Sequence, residues 1–330
     1  MDVTAAAGAA EEADDVSPLD PSHAPLLLFD HTARGQQASD AKSFFYSIPK
    51  KQVVITRVDG IMDHRYWTTP QGWLVMAACG SPDMFLCDPF TGTRISLPPN
   101  RDGFLTGNGH WRCLLSREPV AAAHPNCTDV DVLALSPEGT VFWHCRLGRD
   151  KRWLRYEYNE RPLAPLSTLN GRFIMHFVNK VVMVELSTEP VAFSEIPVSI
   201  EPASLLPLPY TCFVSQMVES RGDLFCVRFF LSDLQRRTIA AIGVSKLDFS
   251  ARVWVREELL DGRVFIVLPG QYGVSLDPRE GLEGDCIYYC RPRDKAVYVY
   301  DMSRGTTTLR NPGSCLLDNH SPIVLMPTCC

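Results

Sequence analysis

The sequence lacks most of the features that identify an enzyme, a membrane protein or a nucleic-acid binder. No apolar run approaches the roughly 20 residues that a membrane helix needs. The first residues, MDVTAAAGAAEEADDVSPLD, carry no basic stretch and no long apolar segment, so they do not read as a secretory signal. Long helical periodicity is missing as well, which argues against a bundle. Among the 12 cysteines there is no CxxC, the spacing that zinc ribbons and thioredoxin-type sites use. Several cysteines sit inside apolar runs, such as Cys145 in VFWHC and Cys226 in LFCVRFF, where a free thiol behaves as a small hydrophobe. Reduced thiols in a cytoplasmic or nuclear protein are the expectation.

A basic excess is also wanting. The chain holds 32 Lys and Arg against 38 Asp and Glu. All six surplus acids fall in the first 24 residues: Asp2, Glu11, Glu12, Asp14, Asp15 and Asp20, with no Lys or Arg among them. The remainder is neutral, so no nucleic-acid partner is expected. The Ala- and acid-rich residues 1–24 offer little apolar surface to offset the entropy of ordering, and they read as a disordered tail.

Catalytic motifs are absent too. A phosphate loop, HExxH, GxSxG and an EF-hand loop are all missing. Gly107-Asn108-Gly109 is a turn, too short to cradle phosphate. Asp30-His31 and Asp63-His64 are neighbours along strands and point to opposite faces, which rules out a ready dyad. His110 and His144 lie in aromatic strands as packed or capped histidines. No cofactor and no metal is expected, since a metal needs three or four convergent ligands.

A repeat is present instead. A short apolar strand, a polar turn, a second strand, a Gly- or Ser-containing turn and a β-branched third strand recur along the chain. The clearest copy is GWLVMAA, CGSPD, MFLCD, PFTG, TRISLP from Gly72 to Pro99. Asp88-Pro89 and Thr91-Gly92 supply its turn chemistry. Further copies run over Val130–Tyr158, Gly171–Pro197, Asp223–Glu257 and Asp285–Arg310. A sixth, at the front, reads PLLLF, SFFYSI, QVVITRV. Extra β-like segments precede several units: HRYWTT, HWRCLLS and CFVSQMV. Four short strands repeated every roughly 40 to 60 residues describe propeller blades.

The fold class is therefore all-β: a single β-propeller over residues 25–327, with six blades of four antiparallel strands. The first unit has no innermost strand before Pro25, while the C-terminus ends in an isolated apolar PIVLM at Pro322–Met326. That terminal strand is expected to complete the first blade and close the ring. Trp73, Trp143, Trp153, Trp254, Phe85 and Tyr298 are expected to fill the spaces between blades.

At these units the sequence resembles the plant F-box-associated, KIB-type β-propellers, a domain of unknown function. GWLVMAACGSPDMFLCDPFTGTRISLPP carries the resemblance first. It continues through MVESRGDLFCVRFF, IGVSKLDFSARVWVREELLDGRVFIV, YGVSLDPREGLEGDCIYY and the closing PIVLMP. The resemblance implies a propeller that captures a protein target, in many members behind an F-box that docks a Skp-type adaptor of a cullin ubiquitin ligase. No F-box is visible in residues 1–24, so only the propeller and its recognition role carry over, and no catalytic residues do.

The expected function is thus a protein-interaction module, not an enzyme. A propeller hydrolase is the alternative, as is a degenerate copy without retained function. Propeller glycosidases need two opposed carboxylates near the axis, and the proposed inner segments offer mainly Glu219. A partner-binding face is read from the loops that join second and third strands and from the loops between blades. Asp83 and Glu138 make its early half acidic, and Lys180, Arg236, Arg237, Arg291, Arg293 and Lys295 make its later half basic. Arg101 and Asp102 lie beside it. An acidic partner, or the chain's own acidic tail, is the expected occupant.

Overall fold

The computed structural model describes residues 19–29, 43–56, 64–105, 111–119, 129–186, 191–200, 212–232, 238–268, 272–291, 296–310 and 323–327. Nearly all of the regular structure is β, arranged as six separate sheets. Each sheet is one blade, and the blades follow one another in sequence around an axis.

Blade one contains β1 (Leu26–Phe29), β2 (Ser43–Ser47) and β3 (Gln52–Thr56), with β26 (Ile323–Leu325) as its innermost strand. Blade two is β4 (His64–Thr68), β5 (Leu74–Ala78), β6 (Met84–Cys87) and β7 (Arg94–Leu97). Blade three is β8 (Arg112–Leu115), β9 (Asp131–Leu135), β10 (Val141–Arg146) and β11 (Leu154–Glu157). Blade four is β12 (Ala164–Leu169), β13 (Arg172–His176), β14 (Lys180–Glu185) and β15 (Ala192–Pro197). These four are antiparallel meanders, as the turn chemistry predicts.

Blades five and six each carry one strand more. Blade five holds β17 (Cys212–Ser220), β18 (Asp223–Leu231), β19 (Ile239–Asp248) and β20 (Val253–Glu257), and the two-residue β16 (Ser199–Ile200) runs parallel to β20 at its rim. In blade six, β21 (Val264–Val267) lies between the innermost β22 (Gly273–Leu276) and β23 (Cys286–Cys290), parallel to β23. β24 (Val297–Asp301) and β25 (Thr306–Arg310) complete that sheet. Asp285 holds the entry to the inserted strand, accepting from the backbone N–H of Leu260 at 2.6 Å and of Gly262 at 3.1 Å.

The terminal strand closes the ring as predicted. β26 pairs antiparallel with β1, Leu26 opposite Leu325 and Leu28 opposite Ile323. Its side chains alternate: Val324 and Met326 join the apolar cluster toward blade six, and Leu325 joins the one toward blade two. Period-two alternation is what a sheet buried on both faces needs.

The core is accordingly a set of seams between blades. Trp73 and Trp153 fill the seam between blades two and three, and Trp254 the seam between blades four and five. Phe85, Trp143 and Tyr298 pack as partly buried members of such clusters. Tyr272, just before β22 of blade six, sits among Leu114, Leu166 and Phe173 of blades three and four, so its ring reaches across the axis.

Of residues 19–24, Leu19 and Ala24 are buried against the propeller while Asp20, Pro21 and Ser22 are exposed. Leu19 is buried against Phe90 and donates its N–H to the Pro89 carbonyl. Asp20 caps the 3-10 turn Pro21–His23 through the Ser22 N–H at 2.8 Å. One apolar side chain and one cap suffice to dock this short stretch; residues 1–18 lie outside the described ones.

Candidate functional site

A propeller has two faces. The upper one here carries the loops between second and third strands and the connections between blades. It holds a cavity of about 780 Å³ over blades three to six. Its wall is built from the β9–β10 turn at Glu138, the β11–β12 connection at Glu160–Leu163, the β13–β14 turn at Phe177–Asn179 and the first residues of β17. The upper ends of β18, β21 and β23 complete it, with Phe229, Leu268 and Arg291.

The rim is partly open and mixes apolar residues with Glu138, Glu160, Arg161 and Asn179. Val178 is 66% exposed, the most exposed large hydrophobic residue among the described ones. Phe213 and Ile239 stand half-buried beside it. An apolar side chain held in water at the mouth of a cavity marks a contact surface better than scattered exposed residues do.

The polar groups of the wall fall into two kinds. Some are already engaged. Lys180, next to the cavity wall, bonds Glu160 at 2.7 Å and Glu195 at 2.9 Å, and those hydrogen bonds hold its ammonium above the usual lysine range. Glu195 also accepts from the Tyr158 hydroxyl at 2.6 Å. Others are not engaged: Ser215 and Gln216 are 3% and 4% exposed, and Ser215 Oγ and Gln216 Oε1 have no hydrogen-bond partner. Arg112 lines the cavity too, its basicity lowered by burial and further by the nearby Arg161 charge.

The predicted face residues separate on inspection. Arg291 lines the cavity, its guanidinium 4.3 Å from the Tyr298 ring centroid. Lys180 lies adjacent, with its charge compensated, so it does not supply a free basic group. Glu138 lines the cavity as well, while Asp83, Arg101 and Asp102 are exposed over blade two and its exit loop, away from it. Arg236, Arg237, Arg293 and Lys295 lie outside the described residues. Arg112 and Arg161 were missed because a basic residue at a strand end gives no sign of which face it joins.

The residues weighed for catalysis take other positions. Glu219 is the one carboxylate on the six innermost strands β26, β4, β8, β12, β17 and β22. It accepts from Thr168 Oγ1 and from the Asn170 N–H, both at 2.9 Å, tying blade five to blade four. His144 is buried and its Nε2 stands 2.8 Å from Asp131 Oδ1. Although burial opposes it, hydrogen bonds from His144 and Arg146 hold the Asp131 carboxyl below the usual range. His64 packs edge-on to Phe85; Asp30, His31, Asp63, Gly107–Gly109 and His110 are outside the described residues. Among the described residues no three His, Cys, Asp or Glu converge as metal ligands. No helix among them is long and apolar enough to cross a membrane.

Comparison with known proteins settles the family. The KIB1-4 beta-propeller family model matches residues 45–304. The chain belongs to the KIB1-4 beta-propeller family. No curated protein matches this KIB1-4 propeller. Among solved structures it is similar to a luciferin-regenerating enzyme, at 12% identity and a TM-score of 0.34, over 94% of this chain and 90% of that one. YCF48 from Cyanidioschyzon merolae is similar at 9% identity and a TM-score of 0.34, over 87% and 77%. A fucose-specific lectin from Aleuria aurantia is similar at 8% identity and a TM-score of 0.31, over 81% and 85%. Likenesses this weak carry no argument about what the KIB1-4 propeller binds.

Proposed function

We propose that this KIB1-4 propeller is a protein-recognition module that captures a partner polypeptide on its upper face, with the cavity over blades three to six as the receptor. The observation that carries this reading is Val178, two-thirds exposed on the lip of a cavity of about 780 Å³ whose wall mixes apolar and charged side chains. Exposed apolar anchors beside a desolvated pocket are what interface hot spots require. Binding is favoured over hydrolysis because the innermost strands carry a single carboxylate, Glu219, and it is committed to a blade-to-blade contact.

The family resemblance extends this to target capture for a cullin ubiquitin ligase, in the cytoplasm or nucleus. The test compares affinity capture from native cells by the wild-type chain and by Val178→Asp. A partner retained by the first and lost by the second supports the upper face; identical partner sets overturn it. Recovery of a Skp-type adaptor with a cullin supports the ligase link, and its absence from every capture counts against that link.

A further inference from the structure

The seam between blades four and five contains a cation without a counter-charge. Strand alternation creates it. On β18, Leu224, Cys226 and Arg228 face blade four, and on β13, Ile174 and His176 face blade five. The first positions of each set build an ordinary apolar seam around Trp254. The last positions, near the upper face, place a guanidinium and an imidazole in the same seam.

Arg228 is 4% exposed. Its Nη1 donates to Ser245 Oγ at 2.9 Å, and its Nη2 is buried with no partner. No carboxylate lies within ion-pair distance of it among the described residues. His176 is 0% exposed and neither ring nitrogen has a partner. Both lie against one indole: the His176 ring meets Trp254 edge-on at 5.0 Å, and the Arg228 guanidinium stands 5.9 Å from the Trp254 ring centroid. Burial, and then the Arg228 charge, push the His176 pKa down to about 3. The ring is therefore neutral at pH 7, with one N–H to donate.

An unpaired buried cation costs several kcal/mol, and the seam leaves that cost standing. The seam is also next to the cavity. Ser215, opposite Arg228 in the β17–β18 register, lines the cavity with an unpartnered hydroxyl. Phe177 and Phe229, the chain neighbours of His176 and Arg228, line it as well.

We propose that this seam is an oxyanion subsite. A carboxylate or phosphate group borne by the partner side chain that fills the cavity enters beside Ser215 and takes Arg228 as its counter-charge. Ser215 and His176 add donors to the oxygens that Arg228 leaves free. Phe177, Phe213, Phe229 and Leu268 hold the apolar body of the same side chain. The occupant is a partner's acidic or phosphorylated residue, whose charge complements the buried guanidinium of Arg228. The subsite rests on the reading of the upper face as the partner-binding one.

The test is the melting temperature of the full chain at pH 7 in sodium succinate and in sodium phosphate. Sodium chloride holds the ionic strength and serves as the blank. A ligand that binds only the folded state raises Tm in proportion to the logarithm of its concentration above Kd. The expected result is such a rise with at least one anion; a response to succinate alone assigns a carboxylate, and to phosphate alone a phosphate. Arg228→Met should abolish the rise and should itself melt higher than the wild type without anion, since it removes the uncompensated charge. Ser215→Ala, should Arg228→Met fail to fold, should weaken the apparent anion affinity about tenfold, the equivalent of one hydrogen bond. A wild-type Tm that neither anion moves beyond the chloride blank overturns the subsite, as does an anion response that survives in Arg228→Met. If both anions are silent while Val178→Asp still loses its partner, the subsite falls and the upper-face reading stands.

Discussion

Gly72 and Met326 meet where the ring closes. Gly72 has φ +85° and faces the Met326 carbonyl so closely that a methyl group on its α-carbon would overlap that oxygen. The turn before β5 thus accepts the terminal segment only because position 72 has no side chain. A positive φ is tolerated by glycine, and here the close approach makes the requirement double.

Gly72→Ala should therefore destabilise the chain by about 2 to 4 kcal/mol, from the backbone term and the overlap together. Deletion of Ser321–Cys330 should cost more. It removes buried Val324, Leu325 and Met326, each contributing roughly 1.5 to 3 kcal/mol. The informative measurement is the double change by denaturant unfolding. In the truncated chain Gly72→Ala should lose its overlap cost, so the two effects should sum to more than the combined variant shows. Strict additivity would separate the Gly72 cost from ring closure.

His176 sets an acid limb on stability. Its folded pKa lies near 3, below the ordinary value of 6.5, so the unfolded chain takes up a proton first as pH falls. Stability contributed by the neutral ring is complete above about pH 6.5 and declines below it, by about 2 kcal/mol at pH 5. His176→Phe should flatten unfolding free energy between pH 7 and 4. The slope that remains includes Asp131, whose depressed pKa gives stability that is also lost on acidification.

Asp285 is predicted to hold the extra strand of blade six. Asp285→Ala leaves the N–H groups of Leu260 and Gly262 without their acceptor and should cost about 2 kcal/mol. Asp285→Asn keeps an oxygen and should recover part of it. Hydrogen exchange localised to β21 and the segment before it would confirm the assignment; uniform loss of protection would contradict it.

Lys180→Met should leave the thermal unfolding midpoint close to that of the wild type, because its partners Glu160 and Glu195 are exposed and solvent screens the pairs. A large loss would mean that the Tyr158–Glu195–Lys180 network holds blade four in place.

The blades were legible because their information is local. Antiparallel neighbours are joined by tight turns, and Asp88-Pro89…Gly92 or the turn at Met302–Gly305 announces each one. The innermost β26 was legible for the opposite reason, as an apolar segment with nothing adjacent to pair with. β16 was not, since it pairs in parallel with a strand reached through an intervening connection, and neither was β21, which pairs antiparallel with the next strand β22 but lies parallel to β23. β12 and β22 were missed because APLSTL contains proline and GVSL is four residues long. The cavity and its seam were hidden more deeply. His176 and Arg228 are 52 positions apart, and only the pitch of neighbouring blades brings them to one indole.

The ribosome delivers β26 after every other strand of the ring. Blades two to six can pair within themselves as they emerge, while blade one waits with the inner edge of β1 unpaired. Until β26 emerges the nascent chain is an open arc with a free sheet edge beside Leu26–Phe29. Its vulnerability to misassociation ends in a single event, the arrival of Ile323–Leu325. A stalled or prematurely terminated product would thus hold most of the architecture and lack the lock.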